Sequence, residues 1–144
     1  MSRGFVVDVK VRVEAPAARV WRALTEPDLI RRYLFGTEVT CDWRPGSPVT
    51  YRGVWKGKAY EDKGRILQAE EGRRLVSTFW SSLEGRPDLP ENYKTVSWEL
   101  TPEGAGTLLH LTQDNAATPQ EAEHSRGNWE MVMGKMKEIV EGLG

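Results

Sequence analysis

Near residue 118 the apolar residues of this chain change their period, and that change limits the fold more than any other feature. From 37 to 114 they recur at every second position, the spacing of strands with one face buried. From 119 to 142 they recur every third or fourth position: Trp129, Val132, Met133, Met136, Ile139, Val140 and Leu143 form one stripe. Thr118-Pro119-Gln120-Glu121 marks the junction, with a Thr cap, Pro at the first helical position and Glu three residues after the cap. A helix over 119–142 measures about 36 Å at about 1.5 Å per residue. A ten-residue strand spans about 33 Å. One long helix therefore fits along one face of a curved sheet.

The residues before the junction supply that sheet. FVVDVKVRVE, residues 5–14, puts Val7, Val9, Val11 and Val13 on one face and Asp8, Lys10, Arg12 and Glu14 on the other. Pro16 suits a first helical turn, and Ala17, Val20, Trp21 and Leu24 follow at helical spacing. Thr25-Glu26-Pro27-Asp28 resembles a capping box for a second short helix with the stripe Ile30, Tyr33, Leu34 and a stop at Gly36. Alternation then runs through Val39, Cys41 and Trp43, and through Val49, Tyr51, Gly53 and Trp55. Pro45-Gly46, Lys56-Gly57-Lys58, Glu71-Gly72 and the stretch 102–106 read as turns. Strands are predicted over 60–69, 74–81 and 106–114, with Val96, Trp98 and Leu100 sharing a face of another. Residues 82–91, with Gly85, Pro87 and Pro90, read as a loop. Short turns between successive strands imply an antiparallel meander.

Composition excludes several function classes. With 144 residues the chain suits one domain, 1–144, able to bury a core without metals or disulfides. Twenty Lys+Arg against 21 Asp+Glu give a net charge of -1, so nothing favours nucleic acid or an anionic membrane. No apolar run approaches the roughly 18 residues of a membrane span, and no signal-peptide core follows Met1. The single Cys41 rules out an internal disulfide. A cytoplasmic protein is expected. Only two histidines are present, and no zinc spacing, phosphate loop or nucleophile elbow occurs, so neither a metal nor a cofactor is expected.

The order strand, two short helices, six strands, long helix is the helix-grip arrangement. The local sequence resembles one family with that arrangement. EAPAARVWRALTEPDL, residues 14–29, is similar to the opening of proteins related to the activator of the heat-shock-protein-90 ATPase, within the START/SRPBCC superfamily that includes birch-pollen-allergen-like proteins. Gly64-Arg65-Ile66-Leu67, Arg74-Leu75-Val76, the run from Val96 to Pro102, Gly106-Thr107-Leu108-Leu109 and Asn128-Trp129-Glu130-Met131 match further. Gln113 stands where many relatives have His, and Tyr33 where many have Trp. The resemblance implies an α+β fold: a seven-stranded curved antiparallel sheet around the C-terminal helix, the first strand paired with the last, and two short helices closing one end. It also implies an elongated cavity between sheet and helix. Relatives bind lipids, hormones or polyketides there, or act as cyclases or other enzymes.

Tyr33, Tyr51, Trp55, Phe79, Trp98 and Trp129 are read onto inward faces, Phe79 in a strand whose facing its apolar residues leave open, and with Met133 they either line that cavity or fill the core. In 60–69 the parity that sends Glu61, Lys63 and Arg65 outward sends Asp62 inward, where an unpaired carboxylate is costly. It binds a ligand donor, acts as acid or base, or sits at a wet rim; a bulge at Gly64 would reverse its facing. Gln113, in phase with Leu109 and Leu111, bonds a ligand or nearby backbone. His110 and His124 face solvent, and Cys41 reads as an inert core thiol. Three functions compete: binding of a small hydrophobic molecule; a cavity enzyme of cyclase or hydrolase type, with Asp62 as acid or base; and modulation of a chaperone ATPase in the stress response, through outward Trp80 or the loop 82–91. The candidate partners are accordingly a small hydrophobic molecule, a chaperone or a second copy of the chain, with no nucleic acid and no membrane insertion.

Overall fold

Val7, Val9 and Val13 are buried along one face of the first strand, β1 (Phe5–Val13), while Asp8, Lys10 and Arg12 stay exposed. The alternation read from the sequence is thus the burial pattern of the strand. The computed structural model describes residues 4–34 and 36–143; the side chain of Trp55 lies outside the described residues. After β1 come two short helices, α1 (Ala17–Thr25) and α2 (Pro27–Tyr33). Six strands follow: β2 (Glu38–Cys41), β3 (Pro48–Trp55), β4 (Lys58–Glu70), β5 (Arg74–Ser81), β6 (Lys94–Glu103) and β7 (Gly106–Ala116). The chain then enters α3 (Pro119–Gly142). The seven strands form one curved antiparallel sheet in the order β1-β7-β6-β5-β4-β3-β2, so the first strand pairs with the last.

Local chemistry sets the joints. At the entry to α3 the Thr118 hydroxyl accepts the Glu121 N–H at 3.0 Å, and the Glu121 carboxylate accepts the Ala117 N–H at 3.1 Å. The capping box therefore reaches one residue further back than its usual partner. The box expected at Thr25 does not form. Thr25 is still helical, and its hydroxyl donates to the Trp21 carbonyl at 2.9 Å. Glu26 caps α2 without a side-chain bond, because Pro27 at the first turn already removes one N–H that would need a partner. Pro16 likewise stands just before α1 as its N-cap, not within its first turn. Trp43 leaves the β2 alternation because its φ of 58° cannot continue a strand. The loop 82–91 folds further than expected, into 3-10 turns at Ser82–Glu84 and Pro90–Asn92.

Two features shape the middle of the sheet. Gly64 in β4 lies so close to β5 that an added Cβ would sit 1.7 Å from the Thr78 carbonyl oxygen, so only glycine fits. Three residues on, Leu67 is an extra residue in the β4–β5 ladder, between Ile66 opposite Ser77 and Gln68 opposite Val76. Leu67 stays on the outer face, 49% exposed, and the bulge reverses the facing of the residues that follow it in β4.

The core lies between the inner face of the sheet and α3, with α1 and α2 closing one end. Helix α3 packs chiefly on β1 and also meets α2, α1 and β7. It buries Met133, Met136, Ile139 and Val140 against Val7, Val9, Val13, Leu109 and Leu111. Each such side chain stabilises the fold by roughly 1.5–3 kcal/mol through apolar burial.

Candidate functional site

The ladder registers place a row of polar side chains across the inner face of β3, β4 and β5. Tyr51 pairs with Asp62, and Asp62 pairs with Ser81. All three therefore share the face that carries Val49, Ile66 and Leu75. These strands lie on the far side of the sheet from β1, where α3 makes its main contact. Tyr51, Asp62, Ser77 and Phe79 accordingly keep some accessible surface although they point inward. Burial, then the nearby Cys41 and Asp62, push the Tyr51 hydroxyl above the usual tyrosine range.

Asp62 is the most perturbed carboxylate of the row. Burial raises its pKa from 3.8 to about 6; a hydrogen bond with Ser81 opposes the rise, and the charge of Glu84 adds to it. One carboxylate oxygen, Oδ1, is buried without a hydrogen-bond partner. Chemically, the group can accept a donor from a bound molecule or exchange a proton near neutrality.

A second polar group lies under α3. Gln113 of β7 is 3% exposed, and its Oε1 accepts the Trp129 indole N–H at 2.8 Å. Its amide nitrogen, Nε2, is buried without a partner. Trp129 also meets Trp98 edge to face, with centroids 5.6 Å apart and planes at 85°. Trp98, Trp129 and Gln113 thus form one unit in which ring packing and a hydrogen bond fix the amide.

Lys94 was not singled out by sequence reasoning. It is 3% exposed, opposite Phe79 and in phase with Val96 and Trp98. Its ammonium meets Glu84 on the first 3-10 turn and lies 3.7 Å from Glu121 at the start of α3. Arg86 reaches the same Glu121 at 2.9 Å. The loop after β5 is thereby tied to the N-terminal end of the long helix. The parity of Val96 and Trp98 was the available signal; the charge of Lys94 obscured it.

The other sequence candidates are placed as follows. Tyr33 is buried in the core, and its hydroxyl donates to the Ala23 carbonyl at 2.8 Å. Met133 is 1% exposed and packs wholly within the core. The backbone of Trp55 pairs with Lys58 at the β3–β4 hairpin, and its side chain falls outside the described residues. Tyr51, Asp62 and Phe79 come together on β3–β5, while Trp98, Gln113 and Trp129 come together on β6, β7 and α3. Trp80 points outward, donates its indole N–H to the Pro87 carbonyl at 3.2 Å and lies under the Lys63 ammonium. His110 bonds Asp8 at 2.9 Å on the outer face, and His124 is exposed. Cys41 is half-buried, and its sulfur accepts the Trp43 N–H at 3.2 Å. A cleft of about 550 Å³ lies on the outer face, between Thr50, Lys63 and Arg65 of the sheet and Pro90 and Tyr93 of the loop. Among the described residues, no cluster of three or more His, Cys, Asp or Glu is placed to hold a metal ion. No described helix is long and apolar enough to cross a membrane.

Comparison with known proteins agrees with this architecture. Residues 14–141 match the family model described as Activator of Hsp90 ATPase homolog 1-like protein. The solution structure of ChR145 from Cytophaga hutchinsonii is similar over 99% of this chain and 97% of its own, with 44% identity and a TM-score of 0.85. CalU16 from Micromonospora echinospora is 27% identical over 94% of this chain and 75% of its own, with a TM-score of 0.73. NE0264 from Nitrosomonas europaea, 22% identical over 96% of both chains with a TM-score of 0.76, shares the fold. No curated protein matches the chain.

Proposed function

The chain belongs to the Activator of Hsp90 ATPase homolog 1-like family, and on that premise we propose that it binds a small hydrophobic molecule, in the cytoplasm, between the inner face of the sheet and α3. The observation that carries this reading is the inner face of β3–β5. Tyr51, Asp62, Ser77 and Phe79 point into the fold and still keep accessible surface. A face filled only for packing would close over such side chains. Tyr51, Phe79, Trp98 and Trp129 supply the apolar walls, with Asp62 and Gln113 as polar anchors.

Magnitudes show why the anchors matter. A ligand that buries about 300 Å² of apolar surface gains about 7.5 kcal/mol at about 25 cal/mol per Å². Loss of translational and rotational freedom costs at least about 4 kcal/mol. The remainder corresponds to weak binding, on the order of millimolar. Hydrogen bonds to buried groups that otherwise lack partners raise affinity from there, because each relieves a desolvation cost of about 1–3 kcal/mol.

Native mass spectrometry of protein purified from its own host tests the proposal. The expected result is a non-covalent small-molecule adduct in the native protein that is absent from a folded Ser77→Trp variant, whose indole would occupy the space. An adduct that persists in that variant, or wild-type protein that carries none and takes up no apolar probe, overturns the reading.

A further inference from the structure

Resting on that reading, we infer that the ligand is an elongated molecule without an anionic group, with a hydrogen-bond acceptor toward one end, received by Gln113, and a hydroxyl donor toward the other, received by Asp62. Two buried atoms without partners carry this assignment, the Gln113 amide nitrogen and the Asp62 Oδ1.

The polarity of Gln113 follows from Trp129. An indole N–H only donates, so the amide atom that meets it at 2.8 Å must be the carbonyl oxygen. The amide cannot turn over without setting N–H against N–H. Its nitrogen is therefore the remaining polar atom, buried and without a partner. An amide nitrogen only donates, so what satisfies it is an acceptor, such as a carbonyl oxygen. Asp62 has the opposite need. Its Oδ1 is buried and unpartnered, and Glu84 contributes negative charge nearby. An anionic ligand group is repelled there, whereas a hydroxyl can donate to the free oxygen.

The ladder registers give the separation. Gln113 pairs with Val96, Val96 with Ser77, and Ser77 with Ile66. Gln113 is therefore level with Ile66, three strands across the sheet and four residues along β4 from Asp62. On an unrolled sheet that is about 14 Å across and about 13 Å along. Curvature shortens the direct path, and both side chains reach inward. The two ligand groups thus stand on the order of 10 Å apart. One polar centre cannot serve both walls. Phe79, Trp98 and Trp129 favour a flat apolar body between the two groups.

Three flat diaryl probes separate the parts: para-hydroxychalcone carries both groups, chalcone lacks the hydroxyl, and para-hydroxystilbene lacks the carbonyl and is one bridging carbon shorter. Calorimetric titration of the full chain is expected to show para-hydroxychalcone binding at least about tenfold more tightly than either of the others. In Asp62→Leu the advantage over chalcone disappears, while the advantage over para-hydroxystilbene remains. In nitrogen-15 spectra of the wild-type protein, the Gln113 side-chain amide signals move with the two carbonyl probes and stay in place with para-hydroxystilbene. Equal affinity for all three probes, or an unmoved Gln113 amide, overturns the inference and leaves a cavity that reads shape alone. Binding of none overturns it too, and the native mass spectrum then decides whether the cavity reading falls with it.

Discussion

Replacing Asp62 by Asn should stabilise the protein above about pH 6 and leave it unchanged near pH 3. Burial, opposed by Ser81 and reinforced by Glu84, lifts this carboxyl from 3.8 to about 6 in the folded chain. A raised carboxyl pKa means that folding disfavours the charged form. Below about pH 3 the group is neutral in folded and unfolded chains alike, and it contributes nothing. As pH rises through the window from 3.8 to about 6, the unfolded chain releases the proton first. Stability therefore falls across that window, and above it the full cost is present. Each tenfold change in proton affinity is worth about 1.4 kcal/mol, which sets an upper limit of about 3 kcal/mol. Asp62 is only partly shielded from water, and screening reduces the cost to about 1 kcal/mol. Asn has the same shape and no charge. Urea unfolding of both proteins at about pH 3, 4, 5, 6, 7 and 8 gives the difference directly, because every other carboxyl cancels between them. The expected difference is near zero at the acid end and about 1 kcal/mol in favour of Asn at neutral pH. A constant difference across the range, or one that grows toward acid, refutes the reasoning.

Two further predictions concern packing. Gly64→Ala should cost at least about 3 kcal/mol, because its methyl group would meet the Thr78 carbonyl backbone at 1.7 Å, whereas Gly57→Ala should cost only about 1–2 kcal/mol, since its φ of 79° is strained for alanine but nothing stands within 4 Å; urea midpoints of the two variants should differ in that order, and equal losses would count against a steric origin at Gly64. Trp129→Phe should cost about 1–3 kcal/mol by leaving the Gln113 carbonyl buried and unpaired, and Gln113→Met in the same chain should recover part of it; additive losses in that double-mutant cycle would show that the bond is not coupled to the fold.

Most of the fold was legible because one face of each strand is buried, and burial writes a two-residue period into the sequence. Val7, Val9, Val96, Leu109 and Leu111 needed no tertiary information to be placed inward. The same reasoning sent Asp62 inward, and the registers agree, because the shift in β4 comes at Leu67 and not at Gly64. The bulge itself was illegible. Parity places Ile66 inward and Leu67 outward, as observed, but nothing in the sequence marks the extra residue that reverses the facing of Gln68 and Ala69. Lys94 was lost for the opposite reason. A charged residue is read as exposed unless its partners are known, and Glu84 and Glu121 reach it from separate elements. The commitment of the Tyr33 hydroxyl to Ala23 also depends on how α1 meets α2, which no periodicity records. The separation of Asp62 and Gln113 onto different walls needed the strand registers, which single-strand alternation leaves undetermined.

The pairing of β1 with β7 has a consequence for how the chain comes into being. Val13 and Thr107 are neighbours in the sheet, yet more than half of the polypeptide is threaded between them. During synthesis the valines of β1 wait for their β7 partners until the strands between them have left the ribosome. Closing so large a loop before any contact rewards it makes this pairing slower than the local hairpins of the meander. The dangerous interval is the nascent one, when this sticky ribbon is unclaimed and a companion that shields it would raise the yield of native molecules.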